Sequence, residues 1–438
     1  MRSFSKKFLA LLTVLICLVM IIMPMGCGRK EKKGIIMVCA FGASNLIEVS
    51  TGDPLWVPLK SELTYQDIFK DDKIVLPTDP EIYNELIEVG KGLDTDEGVI
   101  SKLTLNEDGT DKVPIEAANM NSPERLRYGV LNIYKELYDE LVLRYSSEYE
   151  VTIFQYDWRA DTQAASIELE NMIKEKGYTE VMLLAHSMGG IVVSGYLARS
   201  EENRNLVKAF VSYATPFLGS MDAFTKIENV EDTVATLPVV GKEALKLVDK
   251  RIKPLVYNMT AVYELMPFPD FFTSQHFKGE LSCVTIDGKV MTNYSEYTAY
   301  ISNRPYSHVG DNKLRTQIET LDDFHKSFYI KQSDDTYVHV SKLVNTYYFT
   351  SKGKPTTIGV SITDGEYVEI KKNDGDGTVP NYSATCGLPL DDPRVVLLSG
   401  VGHVQMGISF NEHLKPKTFE IMDNALSKHA KKKLNLGG

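Results

Sequence analysis

The stretch YTEVMLLAHSMGG, residues 178–190, followed by IVVSGYLARS to residue 200, determines how the chain folds. Val181–Ala185 is a short apolar run that ends abruptly, which predicts a buried parallel strand rather than a helix. After Ser187 the apolar residues recur at helical spacing, at Ile191, Val192, Tyr196 and Leu197. The pattern therefore predicts a strand that turns directly into a helix.

The turn itself has the form small-x-Ser-x-Gly, from Ala185 to Gly189. A serine in such a strained, sharp turn needs small neighbours two positions before and after it, because strand and helix approach closely there. The helix that begins at the serine directs its N-terminal N–H groups and its dipole toward any oxyanion formed there. Ser187 is therefore the candidate nucleophile.

Strand and helix patterns alternate on both sides of this turn. Predicted strands lie at Gly34–Ala40, Tyr149–Tyr156, Val207–Ala214, Leu343–Thr350 and Arg394–Leu398, and Ile358–Ile362 with Glu366–Ile370 predicts a hairpin. Predicted helices span Thr162–Glu175 and Thr418–Lys432, and a third runs from an N-cap at Ser122, with Pro123 first, through Arg144. The alternation predicts an α/β fold with a doubly wound, mostly parallel sheet.

Two long segments interrupt the alternation. Residues 34–221 and 336–438 are predicted to form the two parts of one core, with an excursion at 47–120 over the active-site end of the sheet. Residues 222–335 are predicted to form an inserted cap. The apolar cluster Leu265–Phe272 in this cap suits either contact with acyl chains or the interior of the cap itself, and both uses are compatible.

The N-terminus has the features of a targeting segment. Basic residues precede the largely apolar run Phe8–Met25, and Gly26-Cys27 follows it, so residues 1–26 are predicted to be a signal peptide. A small residue before a cysteine resembles a bacterial lipoprotein cleavage site, with Cys27 carrying the lipid and 27–33 serving as a linker. The alternative is an uncleaved membrane anchor. Both readings place the protein on the extracytoplasmic face of a bacterial cell membrane.

Composition narrows the possible partners. The net charge is −11, which argues against nucleic acid as a partner and against a polybasic grip on anionic lipid. Three cysteines remain outside the N-terminal segment, at Cys39, Cys283 and Cys386, and their spacing indicates neither a disulfide framework nor a metal site. Buried free thiols are favoured over a single bridge.

A serine nucleophile needs a base and an orienting carboxylate. Of the eight histidines, His403 lies in a glycine-containing loop just after the last predicted strand, which is the position that a general base requires in such a fold. Asp376 is the favoured acid, because Gly377 follows it and lets the chain turn away; Asp374 is the alternative. A calcium loop starting at Asp374 is excluded, because neither the sixth-position glycine nor the twelfth-position glutamate is present.

Further motifs come in a characteristic order along the chain: VCAFGASNL (38–46), YDWR (156–159), AHSMGG (185–190), TPFLGS (215–220), GDGTVP (375–380), Ser383–Gly387 and GVGHVQM (400–406). In this combination the chain resembles the lecithin:cholesterol acyltransferase family, which includes lysosomal phospholipases and phospholipid:diacylglycerol acyltransferases. The resemblance implies an α/β-hydrolase fold with Ser187 as nucleophile, Asp376 as acid and His403 as base. It also implies that the backbone N–H groups of Phe41 and Met188 form the oxyanion hole.

The sequence thus predicts a surface-anchored serine esterase that acts on phospholipid or another acyl lipid of the membrane. Water would resolve an acyl-Ser187 intermediate in a lipase or phospholipase, and an alcohol would resolve it in an O-acyltransferase, a transfer that the resemblance alone implies. No metal or organic cofactor is required. Two alternatives are an esterase or thioesterase for short soluble substrates, and a catalytically silent lipid-binding lipoprotein.

Overall fold

The computed structural model describes residues 31–435 except 62, 71–72, 75–78, 94, 107–108, 231–247, 274–282, 292, 305–312, 365 and 409. The predicted signal peptide and Cys27 lie outside the described residues. Within the described ranges, no helix combines the length and the apolar character needed to cross a bilayer.

The strands of the described residues, numbered in chain order, are β1 Lys32–Val38, β2 Leu46–Glu48, β3 Pro54–Trp56, β4 Phe69–Lys70, β5 Lys73–Ile74, β6 Ile115–Ala117, β7 Glu150–Phe154, β8 Tyr178–His186, β9 Val207–Tyr213, β10 Val284–Ile286, β11 Lys289–Val290, β12 Tyr329–Lys331, β13 Tyr337–His339, β14 Thr346–Lys352, β15 Thr356–Thr363, β16 Glu366–Lys372 and β17 Val395–Ser399.

The α-helices of the same part of the chain are Tyr65–Ile68, Pro80–Gly92, Val99–Leu103, Glu124–Arg127, Lys135–Tyr145, Thr162–Lys176, Gly189–Arg199, Glu201–Leu206, Met221–Glu228, Lys253–Tyr257, Thr260–Glu264, Pro269–Thr273, Tyr294–Ser302, Lys313–Lys326, Asn381–Ala384, Gln405–Ile408 and Lys415–Asn435. Short 3₁₀ segments occupy Val130–Asn132 and Val340–Leu343, and π-helical turns occupy Val248–Ile252 and Phe410–Leu414.

A six-stranded parallel sheet in the order β17-β14-β9-β8-β1-β7 forms the centre of the protein. The apolar run Val181–Ala185 of β8 is fully buried, because helices cover both faces of a parallel sheet. The pattern-based prediction of a doubly wound α/β fold is confirmed. The carboxyl ends of β1, β8 and β17 lie at the same edge of the sheet, where the loops that carry Phe41, Ser187 and His403 begin.

The hairpin expected near residues 358–370 is also confirmed, because β15 and β16 pair antiparallel. They do not stand alone, however. Strand β10 of the 222–335 segment pairs parallel with β15, so that β11-β10-β15-β16 forms a second sheet. The excursion at 47–120 has small elements of its own, including the sheet β3-β2-β6 and the helix Pro80–Gly92.

The prediction of a single helix from Ser122 to Arg144 is wrong. The chain forms the helices Glu124–Arg127 and Lys135–Tyr145, separated by left-handed backbone at Gly129, Leu131 and Asn132, with φ of 79°, 54° and 55°. A Cβ at Gly129 would lie 2.7 Å from the carbonyl oxygen of Ala43, and the Val130 N–H donates to that same oxygen at 2.8 Å. The helix breaks because the chain packs against the loop that follows β1.

All three cysteines of the described core are buried and unpaired, as expected. Burial raises the pKa of the Cys386 thiol to about 11 and also raises the pKa of Cys39 and Cys283, so these thiols stay protonated.

Candidate active site

Ser187 lies at the end of β8 with φ of 54°, in the left-handed region that side chains other than glycine rarely adopt. Its N–H donates to the carbonyl oxygen of Tyr213 at 2.9 Å, which ties the turn to β9. A Cβ at Gly189 would lie 2.5 Å from the carbonyl oxygen of Val38, and a Cβ at Gly190 would lie 1.9 Å from Thr215 Oγ1. Both positions therefore require glycine, since any side chain would push the helix away from the sheet.

The structure brings the other two predicted site residues to this serine. His403 Nε2 lies 2.9 Å from Ser187 Oγ, and His403 Nδ1 lies 2.8 Å from Asp376 Oδ2. The second carboxylate oxygen of Asp376 accepts hydrogen bonds from the backbone N–H groups of Thr378 and Val379, at 3.0 and 2.8 Å. The backbone of the acid loop thus fixes the carboxylate in the orientation that His403 needs.

The protonation pattern follows from these contacts. Burial lowers the pKa of His403, but the Asp376 carboxylate outweighs burial and the net pKa lies above its ordinary value. A neutral His403 that donates from Nδ1 to Asp376 presents a lone pair on Nε2 to the serine hydroxyl. This arrangement can take a proton from Ser187 and stabilise the imidazolium that forms.

The side chain of Asp374, the alternative acid, is hydrogen-bonded to Asn381. Its Oδ1 accepts a hydrogen bond from Asn381 Nδ2 at 2.6 Å, and its carbonyl oxygen accepts from the Asn381 N–H at 2.9 Å. Asp374 therefore holds the turn at Asn381, whereas Asp376 is the carboxylate that lies against His403.

The two residues expected to form the oxyanion hole flank the serine. Met188 directly follows it and precedes the helix Gly189–Arg199, while Phe41 lies in the loop after β1. Within the described part of the chain, neither backbone N–H has a hydrogen-bond acceptor. Both N–H groups are therefore available to a ligand, and their role as oxyanion donors stays a prediction.

The segment YDWR holds the Phe41 loop in place, a role that its sequence did not reveal. Tyr156 Oη donates to the carbonyl oxygen of Cys39 at 2.9 Å, and the Trp158 ring meets the Phe41 ring edge to face, with 5.0 Å between centroids. Arg159 is fully buried and pairs with Asp157 and with Asp111 of the excursion. The adjacent aromatic and charged residues of this segment were the visible signal, but their partners are distant in sequence.

A cavity of about 570 Å³ opens at Ser187 and His403. Most of its lining is apolar and comes from the excursion, the segment around the helix break, the YDWR segment and the cap. The apolar residues are Trp56, Val130, Leu131, Ile133, Trp158, Val230, Ile252, Leu255, Val256, Met259, Val262 and Leu265. Of the cluster Leu265–Phe272, Leu265 lines the cavity, whereas Phe268 and Phe271 are fully buried in the core. Part of the cluster thus forms the interior of the cap, and contact of Leu265 with an acyl chain stays a prediction.

Two charged side chains of the cavity lining were not anticipated from the sequence. Asp222 and Lys226 lie one turn apart on the helix Met221–Glu228. Burial raises the pKa of Asp222, although Lys226 and His403 oppose the rise. Their i,i+4 spacing directly after the TPFLGS turn was visible, but only tertiary packing places Asp222 beside His403.

Side chains of the metal-binding types do not cluster in the described residues, where no group of three or more could hold an ion.

Comparison with known protein sequences gives two findings. The model of the family described as lecithin:cholesterol acyltransferase matches residues 111–342, which is more than half of the chain. A phospholipase A(1) from Arabidopsis thaliana is 30% identical over 108 residues, and the match spans 24% of this chain and 23% of that protein. The matched segment thus covers less than a quarter of that relative.

Among solved structures, a chain from the Tle4–Tli4 complex is 13% identical with a TM-score of 0.47, covering 86% of this chain and 95% of that one. The mature lipase BlEst2 of Bacillus licheniformis is 16% identical with a TM-score of 0.30, covering 66% and 85%. Likenesses of this size do not bear on activity.

Proposed function

Because the chain belongs to the lecithin:cholesterol acyltransferase family, we propose that it is a serine esterase of acyl lipids, a phospholipase or lipase with O-acyltransferase capacity. The observation that carries the proposal is the hydrogen-bonded series Ser187–His403–Asp376, which opens directly into an apolar cavity. A nucleophile, a base and an orienting carboxylate within hydrogen-bond distance are the arrangement that acyl transfer requires.

In the proposed mechanism, His403 Nε2 takes the hydroxyl proton as Ser187 Oγ attacks the ester carbonyl. The N–H groups of Phe41 and Met188 donate to the oxyanion of the tetrahedral intermediate, and Asp376 stabilises the imidazolium. When the intermediate collapses, the ester C–O bond breaks and His403 returns the proton to the departing alcohol. Water or an alcohol then repeats these steps on the acyl-Ser187 ester.

The cavity supports a long acyl chain as the bound group. Its volume falls within the range of about 300–1,000 Å³ that ligand pockets show, and its walls are largely aliphatic and aromatic. A short soluble ester would leave most of this apolar surface in contact with water. Glycerophospholipid is the proposed substrate class, which is also consistent with the name of the Arabidopsis relative.

Product analysis tests this proposal. The full chain in detergent is mixed with phospholipid vesicles that contain a long-chain alcohol, beside a Ser187→Ala control. Free fatty acid that depends on Ser187 would support a phospholipase, and a new ester that depends on Ser187 would support acyl transfer. The absence of both, together with no labelling of Ser187 by a fluorophosphonate, would favour the silent lipid-binding alternative. Activity confined to short esters would favour the soluble-substrate alternative.

We also propose that the protein is anchored at the extracytoplasmic membrane face through a lipid on Cys27. The support is the sequence of residues 1–27 alone, and the uncleaved anchor is the competing explanation. Metabolic labelling with an alkyne fatty acid separates the two. Label that is lost in Cys27→Ala supports the lipid anchor, whereas an unlabelled chain with its N-terminal segment intact by mass spectrometry supports the membrane helix.

A further inference from the structure

A line of three hydrogen bonds behind Ser187 joins the loop after β1 to the loop of His403. The Ala40 N–H donates to Tyr134 Oη at 3.0 Å. Tyr134 Oη lies 3.2 Å from His186 Nδ1, and His186 Nε2 lies 3.0 Å from the carbonyl oxygen of His403. Ala40 directly precedes Phe41, so the line connects the two backbone segments that carry the proposed oxyanion donor and the proposed base.

Each bond in this line can run in one direction only. The line begins at a backbone N–H, which donates, and ends at a carbonyl oxygen, which accepts. Burial, with a smaller contribution from His403, lowers the pKa of His186 to about 3, so its ring is neutral and has a single N–H. That N–H must be on Nε2 to reach the His403 carbonyl. His186 Nδ1 therefore accepts from the Tyr134 hydroxyl, whose oxygen accepts from Ala40.

The two side chains are held tightly by their surroundings. Tyr134 and His186 are 0% and 2% exposed. A Cβ at Gly407, on the short helix that follows His403, would lie 3.0 Å from His186 Nδ1. Because both side chains are almost completely buried, a hydrogen bond that is lost here is not readily replaced by one to water.

We propose that Tyr134 and His186 are positioning residues, which keep the Phe41 N–H and the His403 imidazole at a fixed separation across Ser187. The inference rests on the proposed function, because it assumes that Phe41 and His403 take part in acyl transfer. His403 changes its charge and its hydrogen-bond partner in every turnover, so its backbone needs an anchor that does not titrate with it. Small displacements of reacting groups reduce turnover more than they reduce binding.

The test measures kcat and KM with a soluble p-nitrophenyl ester for Tyr134→Phe, His186→Phe and His186→Gln. Tyr134→Phe and His186→Phe should each lower kcat about 10-fold or more with KM within about two-fold, as expected for misplaced reacting groups. His186→Gln should recover part of kcat, because its amide N–H₂ can donate to the His403 carbonyl. The double variant should be no worse than His186→Phe, since both changes break the same line.

Tyr145→Phe is the matched control. Its hydroxyl also donates a hydrogen bond, a partly buried one to Asp423 Oδ1 at 2.9 Å, but Tyr145 does not line the cavity. Urea unfolding of every variant separates a loss of stability from a loss of turnover. Tyr145→Phe should lose stability comparably and keep kcat.

The outcomes are distinguishable. An active wild type whose kcat is unchanged in Tyr134→Phe and His186→Phe would overturn the positioning role alone. The same conclusion would follow if the two losses multiplied in the double variant, or if Tyr145→Phe lost as much kcat. A wild type without Ser187-dependent activity would overturn the proposed function and this inference together.

Discussion

Replacing Gly189 with alanine is the most direct test of how the fold positions Ser187. The new Cβ would lie 2.5 Å from the carbonyl oxygen of Val38 and 2.6 Å from that of Cys39, whereas real Cβ atoms essentially never come closer than 3.0 Å to another atom. Both obstacles are backbone atoms at the end of β1, so no side chain can rotate away. The helix Gly189–Arg199 must therefore retreat from β1 by about 0.5 Å, the difference between 3.0 and 2.5 Å.

Two magnitudes follow from that displacement. Overpacking of this kind typically costs about 1–3 kcal/mol of unfolding free energy. Ser187 would move with the helix, while Phe41 stays with β1 and His403 with β17. Since misplacing a reacting group by about 1 Å costs roughly 100-fold in rate, half of that displacement should lower kcat/KM about 10-fold.

Urea unfolding measures the loss of stability. The rate of hydrolysis of a soluble p-nitrophenyl ester, expressed per mole of folded protein, measures the loss of activity. Gly90→Ala is the matched control, because it is a glycine inside the helix Pro80–Gly92 and a Cβ there would meet nothing within 4 Å. Alanine at Gly90 should stabilise the protein by up to about 1 kcal/mol and leave activity unchanged. If the unfolding free energy of Gly189→Ala stayed within about 0.5 kcal/mol of the wild type and its kcat/KM within about two-fold, the close approach of helix and strand would not control the position of Ser187.

Three further predictions follow from the same geometry. Asp222→Asn should move the acidic limb of the pH profile of kcat/KM to lower pH. The Asp222 carboxylate raises the pKa of His403, and activity requires neutral His403. An acidic limb at the same pH in the variant would contradict this. Val256→Trp should narrow the cavity and lower kcat/KM for a long-chain ester about 10-fold relative to a short-chain one, measured on p-nitrophenyl esters; equal losses for both would count against an acyl site. Burial opposes the ionisation of Glu170, but hydrogen bonds from Lys174, Arg199 and Asn203 lower its pKa in the folded protein to about 2. The ionised carboxylate therefore stabilises the fold at pH values above the pKa of the unfolded state, about 4.3, and this stabilisation is lost as the pH falls toward 2. Glu170→Gln should therefore cost about 1–3 kcal/mol in urea unfolding at pH 7 and nothing near pH 2, and a cost independent of pH would refute it.

The parts of the fold that could be predicted are those that short-range patterns encode. The buried run before Ser187, the small residues around it and the helical spacing after it lie within about twenty residues, and the structure has the elements that they predict. The preference for Asp376 over Asp374 had a local basis as well. Gly377 adopts φ of 100°, and the turn that it permits leaves the Asp376 carboxylate facing His403.

The parts that could not be predicted depend on contacts that are distant in sequence. The break at Leu131 and Asn132 follows from packing on Ala43, nearly ninety residues earlier, and Leu131 has no intrinsic preference for left-handed backbone that would mark it. The sequence patterns assigned no role to His186. Its link through Tyr134 to Ala40, and the position of Asp222 beside His403, appear only once the sheet brings these segments together.

The pairing of β10 with β15 limits how this protein can be recombined with its relatives. A chimera that carries the cap of a homologue, joined to this chain between residues 335 and 336, would lack strand β10. One edge of the β15–β16 hairpin would then lose its backbone hydrogen bonds to a neighbouring strand. That hairpin leads directly into the Asp376 loop, and the Gly377 N–H donates to Thr356 Oγ1 at the start of β15. The unit to exchange between homologues is therefore the segment through Asp376, so that substrate preference and the acid would be transplanted together.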